Sequence, residues 1–316
     1  MSHLRFEELT EKNIDDAIAV CNQSLRYDSF DPSVLRKIVF QDTNFEPRLA
    51  FVAYEGSEPL GFSAGVRLIK QPAENVDPSA AWIKILAGVA GNETDEVDVV
   101  SSLCDRVEVE LLNLGGKVVR ISDYARARMW PGIDIRYETI LEALEKRGYS
   151  KVGEAVDYLV ALRGFSIPRR IQRLRGELEK RGIEITLATK AVSESLCGWV
   201  KEKFGPGWAY EVAISIENAE KTRSGTLVAK DVKTGEIIGF STHGALERDW
   251  FGPIGVDEKN RKSGVGSVLL FESLKLIRLN GVTEATIPWT GHLFFYTQVP
   301  GINGIRHYHI MSKKLI

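Results

Sequence analysis

Between positions 261 and 266 the chain reads Arg261-Lys262-Ser263-Gly264-Val265-Gly266, and residue types in that order can bind an anion. Glycine has no Cβ, so Gly264 and Gly266 let the backbone approach a ligand where a side chain would collide. Residues 267–280 follow with helical spacing, and the first N–H groups of such a helix have no internal partner. They point at the same spot as the charges of Arg261 and Lys262, which suits the loop to a diphosphate. Other phosphate motifs fit less well. A Walker loop ends in Gly-Lys-Ser/Thr, and a dinucleotide fingerprint needs a third glycine and a later ribose-binding carboxylate.

Upstream, an apolar run begins at Trp250 and closes on Ile254, Gly255 and Val256, and Asp257-Glu258-Lys259-Asn260 breaks it. The order strand, Arg-x-x-Gly-x-Gly, helix resembles the acetyl-CoA loop of the general N-acetyltransferase (GNAT) superfamily, with Glu258 where many members carry Pro. The resemblance implies that Arg261, Lys262, Ser263, Gly264, Val265, Gly266 and Ser267 hold acetyl-CoA by its pyrophosphate. It also implies that backbone N–H groups near Ile254 to Val256 face the thioester carbonyl, where negative charge develops during transfer.

Further on, Phe294-Phe295-Tyr296-Thr297-Gln298-Val299-Pro300-Gly301 resembles the tyrosine segment of that family, with one extra residue before the glycine. On this resemblance Tyr296 lies near the sulfur of CoA. When an amine attacks the thioester the departing thiolate needs a proton, and a phenol with a pKa near ~10 supplies one without ionising first. The plainer reading of Tyr296 is a core aromatic beside Phe294 and Phe295. Attack also requires a neutral amine. His243, Glu247, Asp249 and Glu211 are candidates to take its proton, and the sequence singles out none of them. Trp208, Tyr210 and Trp289 are candidates to line an acceptor pocket. Cys197 lies in an apolar helix away from the loop, so direct attack in a ternary complex is expected rather than a covalent acyl-enzyme. His307 and His309 share one strand face, but without a third ligand nearby they predict no metal site.

The elements around these residues occur in a repeated order. A short strand at 4–9 and helices from Ile14 and after Pro32 lead into strands at 49–54 and 60–69. A strand at 82–89, a helix over 97–114 and a strand at 117–124 follow. The second half repeats the order, and Glu58-Pro59-Leu60-Gly61-Phe62-Ser63 has a counterpart in Glu236-Ile237-Ile238-Gly239-Phe240-Ser241. The expected fold is α/β (α+β), two tandem GNAT-like domains, each a mixed and mostly antiparallel sheet flanked by helices. The expected division is 1–165 for the first and 166–316 for the second, which opens with a linker helix after Pro168.

The halves differ where chemistry is concerned. After its strand the first half carries Gly91-Asn92-Glu93-Thr94-Asp95-Glu96-Val97-Asp98, whose carboxylates suit a helix N-terminus and would repel a pyrophosphate. It also has Leu144 where the family tyrosine would stand. One CoA per chain is therefore expected, in the second half. Trp130-Pro131-Gly132-Ile133-Asp134 reads as a turn and helix start, or as a substrate-facing loop.

A formal charge of −2 on 316 residues gives no global attraction to nucleic acid or anionic membrane, and no aromatic residues interleave with the arginines of the linker helix. Three scattered cysteines form neither a disulfide framework nor a thiolate zinc site, and no run reaches the ~18 apolar residues of a membrane span. A cytoplasmic acetyltransferase acting on a small-molecule or peptide amine is expected. The rival is a non-catalytic acyl-CoA-binding or regulatory module.

Overall fold

The computed structural model describes residues 4–70, 76–124 and 130–315. The chain runs β1 (Arg5–Glu8), α1 (Ile14–Ser24), α2 (Pro32–Ile38), β2 (Ala50–Glu55), β3 (Glu58–Arg67), β4 (Ala80–Gly88), α3 (Glu96–Asn113), β5 (Val118–Ile121), β6 (Ile133–Asp134), α4 (Glu138–Lys146) and β7 (Ser150–Ala161). It continues with α5 (Arg169–Lys180), β8 (Ile183–Leu187), α6 (Lys190–Phe204), α7 (Pro206–Glu217), α8 (Ala219–Thr222), β9 (Gly225–Asp231), β10 (Ile237–His243) and β11 (Phe251–Val256). Last come α9 (Val265–Leu279), β12 (Glu284–Thr290), α10 (Leu293–Tyr296) and β13 (Ile302–Lys314).

Two compact units result, Met1–Ala155 with His307–Ile316, and Val156–Arg306. In the first, β1 to β5 lie side by side in chain order, antiparallel except for the parallel pair β4–β5. The end of β13 then pairs with β5, Ser312 opposite Arg120 and Lys314 opposite Val118. Strands β2 to β4 are buried along most of their length, and Val99, Leu103, Val107 and Leu111 of α3 join their core. In the second unit, β8 to β11 form an antiparallel sheet, and β12 pairs with the later part of β7. Here α9 carries Val265, Val268, Leu269, Leu270, Phe271, Leu274 and Ile277, all fully buried. So apolar a helix needs cover on several sides.

The units divide differently from the expected cut between 165 and 166. Strand β7 passes from the first unit into the second at Val156, and β13 passes back at His307. A strand takes the open sheet edge that its hydrogen-bonding groups can reach, and nearness in sequence does not decide which edge that is. Residues 130–134 also differ from a simple turn. Ile133 and Asp134 form a short strand against His309 and Tyr308, and Trp130 is buried.

Candidate functional site

Strands β11 and β12 run parallel but meet only at their starts, through a single bridge between Trp250 and Thr286. The Thr286 N–H donates to the Asp249 carbonyl at 3.0 Å, and its hydroxyl to Asp249 Oδ2 at 3.1 Å. Past that point no ladder joins them among the described residues, so the pair opens as a wedge. On its other side β11 is held by β10. The Asp257 N–H reaches the Ile238 carbonyl at 2.8 Å, and Gly255 lies opposite Phe240. Antiparallel pairing alternates, so the N–H groups of Ile254 and Val256 face away from β10, into the wedge.

The loop that follows places its glycines for reasons the sequence did not reveal. Gly264 is the residue before α9 and has φ 95°, a left-handed conformation that favours glycine. A Cβ there would lie 2.6 Å from Leu174 Cδ1, so the missing atom makes room for a side chain of the same unit. A Cβ on Gly266 would lie 3.4 Å from Phe295 and 3.5 Å from Val256, again on the inner side. The outer side is left to the backbone. Among the described residues the N–H groups of Gly264, Gly266 and Ser267 meet no acceptor, and that of Val265 has only Ser263 Oγ at 3.4 Å. No side chain caps the helix. Arg261 stays more than half exposed beside Glu258, 3.3 Å away, and Lys262 adopts φ 64°. Uncapped N–H groups at the positive end of a helix, flanked by two cations, fit a diphosphate. From beneath, Ser241 Oγ and Ser273 Oγ, 2.7 Å apart, tie α9 to β10.

Tyr296 ends α10 and is buried against Tyr158, Phe251 and Phe295, with ring centroids 6.0, 6.3 and 5.0 Å away. Burial pushes its pKa up to about 12, with the Thr290 hydroxyl acting in the opposite sense. The Tyr158 hydroxyl donates to the Leu293 carbonyl and so pins the start of α10. Phe295 touches Gly266 while the neighbouring Tyr296 enters the core, so α10 connects the loop to the tyrosine.

The candidates for the amine's proton separate in the structure. Burial lowers the His243 pKa to about 4, which leaves a neutral ring at physiological pH and a poor proton acceptor. Asp249 is engaged with Thr286. Glu211 is buried on α7 and Glu247 lies in the turn before β11. Of the aromatic candidates, Trp208 stacks on Phe204 at 5.5 Å, Tyr210 is 63% exposed, and Trp289, at φ 55°, donates its backbone N–H to Asp157 at 2.7 Å. Asp157 and Tyr158 stand in β7, and neither was a site candidate from the sequence. A carboxylate inside the apolar run Val156-Asp157-Tyr158-Leu159-Val160 was the signal. His307 meets Glu154 at 3.2 Å, and among the described residues no group of three His, Cys, Asp or Glu side chains could hold a metal ion.

In the first unit the wedge recurs and the anion loop does not. Strands β4 and β5 pair from Ala80 opposite Val118 to Ile83 opposite Ile121, and only β4 continues. Before α3, however, the Asp95 carboxylate accepts the Asp98 N–H at 2.8 Å. Glu55 accepts from the N–H of Asn92 and the hydroxyl of Thr94, each at 2.8 Å, and these bonds hold its carboxyl below the usual range. The donors that an incoming anion would use are spent on the protein's own carboxylates.

This architecture has relatives among solved structures. The glucosamine N-acetyltransferase region of a fungal multi-domain β-N-acetylglucosaminidase aligns over 98% of this chain at 16% identity with a TM-score of 0.76, and this chain spans 38% of that protein. A GCN5-related N-acetyltransferase from Sphaerobacter thermophilus aligns over 100% of this chain and 96% of its own, at 14% identity and a TM-score of 0.66. A tandem GNAT protein from the clavulanic acid biosynthesis pathway aligns over 99% of both chains at 10% identity and a TM-score of 0.60. No family model and no curated protein matches the sequence. The chain is a tandem GNAT-fold protein. Among the described residues no helix is long and apolar enough to cross a membrane.

Proposed function

We propose that the second unit is an acyl-CoA-dependent N-acyltransferase that moves an acetyl group from acetyl-CoA to an amine by direct attack in a ternary complex. The observation that carries this reading is the open N-terminus of α9 directly after a strand that splays from its parallel neighbour. Residues 261–267 take the pyrophosphate, with Arg261 and Lys262 supplying charge and the N–H groups of Gly264, Gly266 and Ser267 supplying direction. The wedge-facing N–H groups of Ile254 and Val256 are placed to hold the acyl arm and to donate to the thioester oxygen as it gains charge. Tyr296 keeps its proton at neutral pH and gives it to the sulfur as the carbon–sulfur bond breaks, and the proton that the amine loses passes through solvent and restores the phenol. The acceptor is an amine of a small molecule or a peptide, and among the described residues the first unit turns Asp95 onto the helix end where a second CoA would sit. The likeness to solved N-acetyltransferases supports the same reading. Thiol release from acetyl-CoA across a panel of amines tests it. Release should require an amine, and a rate that does not respond to any amine refutes transfer.

A further inference from the structure

Helix α5 runs between β7 and β8 and is fastened to α9. The Arg175 guanidinium pairs with Glu272, whose side chain is only 13% exposed. Arg278 of α9 donates to the Phe165 carbonyl, and the rings of Phe165 and Phe271 stack at 6.1 Å. Arg170 lies over the Phe271 ring and donates to the Gln298 carbonyl at 2.8 Å, just past α10. Within this frame the Leu174 side chain sits against Gly264, with Cδ1, Cδ2 and Cγ 2.6, 2.7 and 3.0 Å from where a Cβ would be.

We propose that Leu174 is a positioning residue for the anion loop, a strut beneath Gly264 that keeps the outward N–H groups aimed at one point. The inference rests on the reading of residues 261–267 as the CoA loop. Leu174 touches no ligand atom in this scheme. It fills the volume on the inner side of the turn, so Gly264 cannot relax inward and the first turn of α9 keeps its aim. A loop whose donors must converge on a diphosphate loses affinity when its supporting side chains are loose, even with every donor still present. Phe295 does the same for Gly266 from α10, so each glycine of the loop rests on an apolar side chain from a different helix.

The test is calorimetric titration of the full chain with CoA, paired with thermal unfolding. Leu174→Ala should raise the CoA Kd about tenfold, the lower end of what loss of supporting residues costs at metal sites. Leu174→Met, similar in volume, should stay close to the parent. Ile171→Ala removes a buried side chain from the same helix that does not lie against Gly264, so it should lower Tm and leave Kd unchanged. A second arm uses Gly264→Ala, whose clash Leu174→Ala relieves, so the double variant should bind better than the product of the single losses predicts. Equal effects of Leu174→Ala and Ile171→Ala on Kd, or none from either, overturn the proposal while leaving the CoA reading intact. A parent protein that does not bind CoA overturns both.

Discussion

Asp95 and Gly264 occupy the same place in the two units, the residue before the helix that follows the wedge strand, and they treat the helix end in opposite ways. Asp95 turns its carboxylate onto the Asp98 N–H at 2.8 Å. Gly264 has no side chain to offer, and the donors beyond it stay open. Capping is worth about 1 kcal/mol to a helix, so the second unit gives up stability at the point where the first secures it. Open N–H groups at a helix N-terminus, with the partial positive charge of the helix end, suit an anion.

From that contrast one CoA is expected per chain. Calorimetric titration should return a stoichiometry near one, and two equivalent sites would show that Asp95 and Glu55 do not block the first unit.

The loop glycines should differ under substitution. Gly264→Ala meets both the left-handed φ, a cost of about 1–2 kcal/mol, and the Leu174 side chain. Gly266→Ala brings a Cβ to 3.4 Å from Phe295, a tight contact that also gains helix propensity of up to about 1 kcal/mol. CoA affinity should therefore fall sharply for the first and little for the second, while a leucine at 266 should displace Phe295 and lower turnover through Tyr296. Lys259→Ala should leave affinity unchanged.

Tyr296→Phe removes one hydroxyl and keeps the buried ring. Turnover should drop roughly a hundredfold to ten-thousandfold, the usual share of a general acid, with CoA affinity close to the parent. Unchanged turnover would identify Tyr296 as packing only and leave solvent or another group to protonate the thiolate. Lost CoA affinity would assign the hydroxyl to positioning instead.

His243 should make the protein acid-sensitive. Its ring is buried neutral with a pKa near 4, while in the unfolded chain it titrates near ~6.5. Between those values the unfolded state binds more protons, so stability is full above about pH 6.5 and falls as pH drops toward 4, by roughly 3 kcal/mol in all. Denaturation midpoints from pH 7 to 4 should therefore fall less steeply for His243→Phe than for the parent. Parallel slopes would mean that another group carries the effect.

The strand that returns to the first unit is fastened by Lys313, which donates to Glu108 at 2.6 Å in a cluster with Arg147 and Tyr149. Lys313→Ala should destabilise the first unit by about 1–2 kcal/mol. Hydrogen exchange should quicken in β5 and α3 before α9, and uniform quickening would show that the units do not respond separately.

Much of the candidate site was legible because its signals are local. The glycines at 264 and 266, the apolar run before them and the helical spacing after them lie within a few residues of each other, and they formed a strand, a turn and a helix. What a missing Cβ makes room for was not legible, since Leu174 lies ninety positions from Gly264. The sequence suggested an approaching ligand, and the structure finds a leucine on the inner side. The partners of β7 and β13 were hidden for a related reason. Alternation along a strand fixes which faces are apolar, but the hydrogen bonds that choose an edge look alike from every sequence. Burial of His243 likewise depends on the fold around it, and its residue type alone left it among the candidate bases.

The passage of β13 into the first unit also bears on how the chain is made. Residues 307–314 leave the ribosome after the whole of Val156–Arg306, and at the usual pace of synthesis that delay is roughly 10–30 s. Throughout it β5 presents a bare edge, with Val118, Val119 and Ile121 beside unpaired backbone groups, open to the next nascent chain on the same message. Crowded polysomes and strong overexpression would therefore trap this protein by its first unit, although that unit is synthesised first.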